Sequence, residues 1–382
     1  MSAEPVPAES ASAERKDDHV RLAAAQYERS PADEPFADVS FVHHALAGID
    51  EDLVDLSVQV LGARWSSPLY INAMTGGTAE TGRINRALAI AARETSVALA
   101  SGSVSIALDD PSVAGTFRVL REENPDGFVL ANVGIERSAD DARRAVDLLG
   151  ADALQVHVNA VQETVMPEGR RAFSSWQRSL AAIVASAEVP VVVKEVGFGL
   201  SPETLTLIAD LGVTGADVAG RGGTDFVRVE NARRAAHDYD YLIGWGQSAV
   251  ACLLEAPERS PQLLASGGVR TPLDVARALA LGARAVGVSG TFLRVVLDGG
   301  PDALVTRIRQ WQEHLRALCA LLGAPEPAAL ARADVIVRGA TAEYCRARGV
   351  NLAPLAHRSA AVPTDHGGAH GQIHAERSRH DR

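Results

Sequence analysis

The chain has 382 residues, 47% of them apolar and only 4% aromatic, with a formal net charge of −11. That suffices for a sizeable core built mostly from Ala, Val and Leu, in one large domain or two ordinary ones. The charge argues against nonspecific nucleic-acid binding, no apolar run approaches the roughly 18 residues of a membrane span, and three scattered cysteines, Cys252, Cys319 and Cys345, suggest neither a disulfide frame nor a zinc motif.

Residues 1–13 are mostly Ala, Ser, Glu and Pro and read as a disordered leader without the order of a signal peptide, so a cytoplasmic protein is expected. Next comes "ERKDDHVRLA", with Arg15, Lys16, His19 and Arg21. A charged helix start is ordinarily a solvated face. As an anion clamp, the same residues offer the several cationic donors a diphosphate needs. Strand-like runs then recur at 69–74, 97–102, 128–133, 153–158, 189–196, 215–220, 262–269 and 283–290. Segments of helical spacing separate most of them, such as "SADDARRAVDLLG" and "TPLDVARALALGA", opening on Ser or Thr and closing on Gly. This alternation predicts a (β/α)8 barrel of the α/β class over 14–350, with an open doubly wound sheet as the alternative. The long gap before the seventh strand holds "YLIGWGQSAVACLLEA", read as an elaboration of the barrel. Periodicity fades beyond about Ala356, and 351–382 is expected to be a disordered tail whose His366, His370 and His374 lack fixed geometry for a metal.

In a barrel, function gathers where strands run out into the following loops. Those exits are "NAMTGGT", "SGSVS", "ANVG", "HVNAVQE", "VKEVGFG", "AGRGGTDF", "ASGGVR" and "GVSGT". The last two place glycines and helix starts where barrels hold phosphates, so a phosphate-bearing cofactor is expected there. Lys194 lies in an otherwise apolar strand and needs an anion, water or a lost proton. Neighbouring strand residues face opposite sides, so Glu195 is not its side-chain partner. In "QVHVNAVQE", Gln155, His157 and Asn159 share one strand face, followed by Gln162 and Glu163 in an expected loop. Neither "GFGLSP" nor "GRGGTD" opens a dinucleotide-binding βαβ unit, so no separate nicotinamide domain is visible.

With "RKDDH", "NAMTGGT", "SGSVS", "QVHVNAVQE", "MPEGRRAF", "VVVKEVGFGLS", "GRGGTDF", "WGQS" and "ASGGVR" in this order, the chain resembles the type 2 isopentenyl-diphosphate isomerases over nearly all of 14–350. The resemblance implies a flavin-dependent barrel that interconverts isopentenyl and dimethylallyl diphosphate, using FMN, Mg2+ and a reductant such as NADPH, in a tetramer or octamer. It implies that Arg15, Lys16 and His19 grip the diphosphate. It places Ala73, Met74, Thr75, Ser103 and Asn132 against the flavin and Lys194 at its pyrimidine end. Thr224, Gly267, Gly268, Arg270, Gly290 and Thr291 would surround the FMN phosphate. His157, Asn159 and Gln162, with Ser103, would line the substrate pocket, and Glu163 would hold Mg2+. Ala219 and Thr291 depart from the residues common there, and "SGSVS" lacks an arginine that some members carry. The rival readings are an FMN-dependent dehydrogenase or oxidase of a small acid, and a non-catalytic sensor of prenyl diphosphate. Neither the acid enzymes' His or Tyr base nor their carboxylate-binding Arg explains "RKDDH" with Glu163.

Overall fold

Eight short strands close on themselves in a computed structural model that describes residues 8–29, 34–72 and 76–359, with side chains from Lys16 to Gln26 in the first stretch. They are β1 (Leu69–Asn72), β2 (Ala98–Ala100), β3 (Val129–Gly134), β4 (Ala153–Val158), β5 (Val191–Glu195), β6 (Gly215–Asp217), β7 (Gln262–Ala265) and β8 (Ala285–Val288). Each neighbour pair is parallel, and β8 returns to β1 with Val286 opposite Leu69. The barrel is therefore closed and the open-sheet alternative is excluded.

Helices form the outer layer, and their ends follow the capping chemistry of the sequence. Ser138 and Asp141 make a reciprocal capping box at the start of Ala139–Leu149, which ends on left-handed Gly150. Thr271 and Asp274 do the same for Pro272–Ala280. Outward-facing Leu154 and Val156 of β4 are buried in the layer between strands and helices. Alternation then sends Gln155 and His157 inward.

The strand-start end of the barrel is shut. A hairpin of Val58–Val60 and Ala63–Trp65 seats Val60, Leu61 and Trp65 among Tyr70, Ala98, Leu130, Ala153, Val192, Leu264 and Ala285. The main-chain N–H of Leu61 donates to Gln262 Oε1 at 3.0 Å, fixing the plug to β7.

Both ends of the ordered chain depart from expectation. Helix α1 (Ala8–Arg29) begins inside the stretch 1–13 read as a leader, because Ala and Glu there favour helix and continue the amphipathic run. At the other end, a short helical turn at Ala353–His357 leads to Ser359, whose N–H and hydroxyl both donate to Asp334 at 2.7 Å. The stretch expected to be tail from 351 is thus docked as far as 359, and the three tail histidines lie outside the described residues. The elaboration before β7 consists of helix Phe226–Ala232, a single turn at Asp240–Leu242 and helix Ala249–Glu255, with a β-bridge between Arg221 and Ser248. Cys252, Cys319 and Cys345 are free thiols in the interior.

Candidate active site

The strand exits surround one cavity of about 680 Å3, within the size range of cofactor and ligand pockets. Two polar regions line it. One is built by glycine loops. Gly267 and Gly268 have φ of +88° and +80°, and Gly222 has +118°, values that suit glycine and strain other residues. A Cβ on Gly267 would collide with the carbonyl of Gly220, and one on Gly268 would press on Gly222. The loops after β6 and β7 therefore lie backbone against backbone, which leaves main-chain N–H groups to face the cavity. Beside them, helix Gly290–Leu321, broken at Gly300, starts at the cavity wall, where its first N–H groups have no helical partner.

The glycine end rests on Asp217, fully buried at the end of β6. Tyr70 Oη (2.7 Å), Asn72 Nδ2 (3.1 Å), Ser266 Oγ (2.8 Å) and the N–H of Ala219 (3.1 Å) all donate to its carboxylate. One acid thus ties together the exits of β1, β6 and β7 and holds Ala219 in its left-handed conformation (φ +32°).

The second region lies under α1. Lys16, His19, Ala23 and Gln26 occupy one helix face and line the cavity. His19 Nε2 lies 2.9 Å from Glu230 Oε1, and Gln162 Nε2 donates to the same oxygen at 2.7 Å. Arg233 pairs with Glu230 Oε2 at 2.5 Å. Burial alone would push the Glu230 carboxyl up, but bonds from His19, Gln162 and Arg233 outweigh it and bring its pKa down to about 2. Glu230 is therefore an anion that orients His19 and Gln162 together.

Between these regions lies the polar face of β4. Asn132 of β3 donates from Nδ2 to Gln155 Oε1 at 3.1 Å and turns Oδ1 to His157 Nδ1 at 2.8 Å. Burial, and then the charges of Lys194 and Lys16, push the His157 pKa down to about 3. The ring is thus neutral at pH 7, with its proton on Nδ1, facing Asn132. Glu163 accepts from Asn159 Nδ2 at 3.1 Å and from the N–H of Arg170 at 2.8 Å. Asn159 Oδ1 is buried without a protein partner. Apolar Ile106, Val113, Met166, Val196 and Phe226 complete the wall.

Most of the sequence-predicted residues meet here: Lys16, His19, Ser103, Asn132, His157, Asn159, Gln162, Glu163, Lys194, Thr224, Gly267, Gly268, Arg270, Gly290 and Thr291 all line this cavity. Ala73, Met74, Thr75 and the side chain of Arg15 lie outside the described residues. Gln162 and Glu163 belong to a short helix, Ala160–Val165, not to a loop. Arg270 spends its guanidinium on Glu34 (3.0 Å) and the Gly222 carbonyl (3.4 Å), so it braces the glycine loop. Thr291 turns its hydroxyl to the Val269 carbonyl at 2.9 Å, leaving its backbone to face the cavity. Lys194 Nζ donates to the main-chain oxygen of Glu195 at 2.7 Å, and the Glu195 carboxylate folds onto the N–H groups of Val196, Gly197 and Phe198. Glu230, Asp217 and Gln26 escaped the sequence reading, because most of their partners, such as His19, Gln162, Tyr70, Ser266 and Asp225, lie 49 to 211 positions away.

Residues 131–337 match the family of FMN-dependent dehydrogenases. An isopentenyl-diphosphate delta-isomerase of Kitasatospora griseola is 59% identical over 92% of this chain and 96% of its own length. One of Streptomyces sp. (strain CL190) is 56% identical over 92% and 97%, and one of Staphylococcus haemolyticus (strain JCSC1435) is 46% identical over 89% and 97%. Among solved structures, a mandelate oxidase variant with benzaldehyde has a TM-score of 0.58 at 20% identity, covering 85% of this chain and 94% of that one. A flavocytochrome b2 variant with pyruvate reaches 0.62 at 17%, covering 95% and 89%. These last two share the barrel; the sequence relatives match over nearly the whole chain. The chain belongs to the isopentenyl-diphosphate delta-isomerases, in their flavin-dependent type 2 form.

Proposed function

We propose that the chain interconverts isopentenyl and dimethylallyl diphosphate by a 1,3-allylic proton shift, with FMN, Mg2+ and NADPH as the flavin's reductant. The observation that carries this is the pairing, in one cavity, of a glycine-loop cradle suited to a phosphate with a cationic cluster under α1. A single phosphomonoester needs one such site, whereas a cofactor phosphate and a substrate diphosphate need both.

The residues fit the absent groups. Gly267 and Gly268 pack so closely on Gly220 and Gly222 that no side chain fits there, which keeps the backbone of the loops at the cavity wall, and the start of helix Gly290–Leu321 adds N–H donors for a phosphate. When bound, reduced FMN supplies the acid and base that move a proton between allylic carbons. Lys194 places positive charge at the wall where a reduced ring would carry negative charge. For Mg2+, Glu163 keeps free lone pairs on both oxygens, and Asn159 Oδ1 lacks a protein partner. One carboxylate plus phosphate oxygens and water is an ordinary magnesium shell.

Lys16 and His19, with Arg15, hold the diphosphate and so fix the hydrocarbon end. Gln162, locked by Glu230, aligns the chain at the middle of the cavity. Helix α1 lies over the mouth and excludes water, which lowers the local dielectric around the reacting carbons. Exposed Leu46, Leu53 and Leu321, close to the contact of Gly48 with Ala320, support assembly into a homo-oligomer, proposed as a tetramer or octamer. A cytoplasmic location is proposed on the same footing as in the family.

The test is an anaerobic assay of the full chain with isopentenyl diphosphate, FMN, Mg2+ and NADPH. Dimethylallyl diphosphate should form, and both chelation of the metal and omission of the reductant should stop it. Equal turnover after removal of the flavin would overturn the reading.

A further inference from the structure

Helix α1 carries the cations of the diphosphate grip, yet its described side chains offer little apolar surface to hold it in place. Of its described side chains from Lys16 to Gln26, only Val20 and Ala23 are buried apolar ones. Its position therefore depends on polar tethers to the barrel loops. Asp17 accepts from the Thr78 hydroxyl at 2.7 Å, and His19 meets Glu230. The third tether is Gln26. Its Oε1 accepts from the N–H of Asp225 at 2.9 Å, and its Nε2 donates to the carbonyl of Asp225 at 3.0 Å. The amide thus pairs with both main-chain groups of one residue, as a neighbouring strand would.

Asp225 is not an arbitrary anchor. It follows Thr224 of the glycine loop, and its side chain caps helix Phe226–Ala232, accepting from Val227 N at 2.9 Å. That helix carries Glu230, the partner of His19, and Phe226, whose ring meets His19 edge-on at 5.8 Å between centroids. Gln26 and His19 therefore hold α1 to the same unit at two points. Lys16 lies ten residues before Gln26, about 15 Å along the axis, so a helix freed at Gln26 can swing its cationic end out of register.

We propose that Gln26 is a positioning residue for the diphosphate grip: its paired hydrogen bonds to Asp225 set where Lys16 and His19 meet the substrate. This rests on the isomerase reading above. In Gln26→Met, similar in length and without hydrogen bonds, the KM for isopentenyl diphosphate should rise about tenfold, the scale of two lost neutral bonds. The kcat should stay within about twofold, and FMN affinity, read by fluorescence quenching, should not change. Gln26→Glu adds a reversible control. Protonated, the acid offers the same acceptor and donor as the amide; ionised, it sets a charge against the Asp225 carbonyl. Its KM relative to wild type should stay high from pH 8 to 6 and fall as the pH is lowered toward the ordinary glutamate range of about 4.3. Trypsin cleavage within α1, with Mg2+ and inorganic pyrophosphate present, gives a readout free of turnover: wild type should be protected and Gln26→Met cut. An unchanged KM and unchanged protection in Gln26→Met would overturn the proposal, as would a joint loss of kcat and FMN binding, which would mark general damage to the fold. Wild-type protein that is protected by pyrophosphate but does not isomerise would overturn the isomerase reading alone.

Discussion

His157 shows how a single side chain reports on its surroundings. Among the protein's own groups it is neutral because it is enclosed and because Lys194 and Lys16 are cationic. A diphosphate brings negative charge to the same place and favours the imidazolium. Its pKa is therefore expected to rise from about 3 by at least one unit when Mg2+ and pyrophosphate bind, followed by the NMR shift of the ring proton with pH. A ring whose pKa stays near 3 in the complex would show that the anion sits elsewhere. Glu230 makes the complementary point. Little in "FVRVENARR" marks this glutamate, because only Arg233 of its partners lies in that stretch, and the residues that make it an orienting anion, His19 of α1 and Gln162, come from far away in the chain.

At the scale of elements, the glycine loops are the most demanding part of the chain. Gly267→Ala adds a methyl group that cannot fit beside the Gly220 carbonyl, at a φ of +88° that disfavours alanine. FMN affinity should fall at least 100-fold, measured by flavin titration, while the far-UV circular dichroism is retained. Retained affinity would mean that the two loops do not form the cradle. The strands, the helix caps and these loops were legible because each is a local signal: apolar runs, Ser or Thr starts, paired glycines. The polar face of β4 was legible for the same reason, since alternation alone separates Gln155 and His157 from Leu154 and Val156. The helical setting of Gln162 and Glu163 was not, because a segment of six residues is too short for a periodic signal. The bracing role of Arg270 depends on Glu34, more than 200 positions earlier, and no spacing rule reaches that far.

For the molecule as a whole, three buried groups shape stability against pH in opposite directions. His157, ordinarily near 6.5, is held at about 3, so its contribution is full above 6.5 and is lost as pH falls toward 3. Glu230 behaves likewise between 4.5 and about 2. Glu195 runs the other way. Burial raises it from 4.5 to about 7 against the pull of three N–H donors, so its contribution is full below 4.5 and is lost as pH rises through 7. Glu195→Gln keeps an oxygen for those donors and removes the buried charge. Its gain in unfolding free energy should grow from pH 4.5 to 7 and level off above, at up to roughly 3 kcal/mol. Urea melts across that range check it, and a gain independent of pH would show that Glu195 does not ionise in the fold.

The plugged strand-start end of the barrel has a last consequence, for traffic. With Leu61 and Trp65 filling that end, molecules enter and leave the cavity on the side that α1 covers. On the proposed reading, a hydride donor and the prenyl diphosphate would share that one doorway and take turns, and a single reduction of the flavin would serve many rounds of isomerisation behind it.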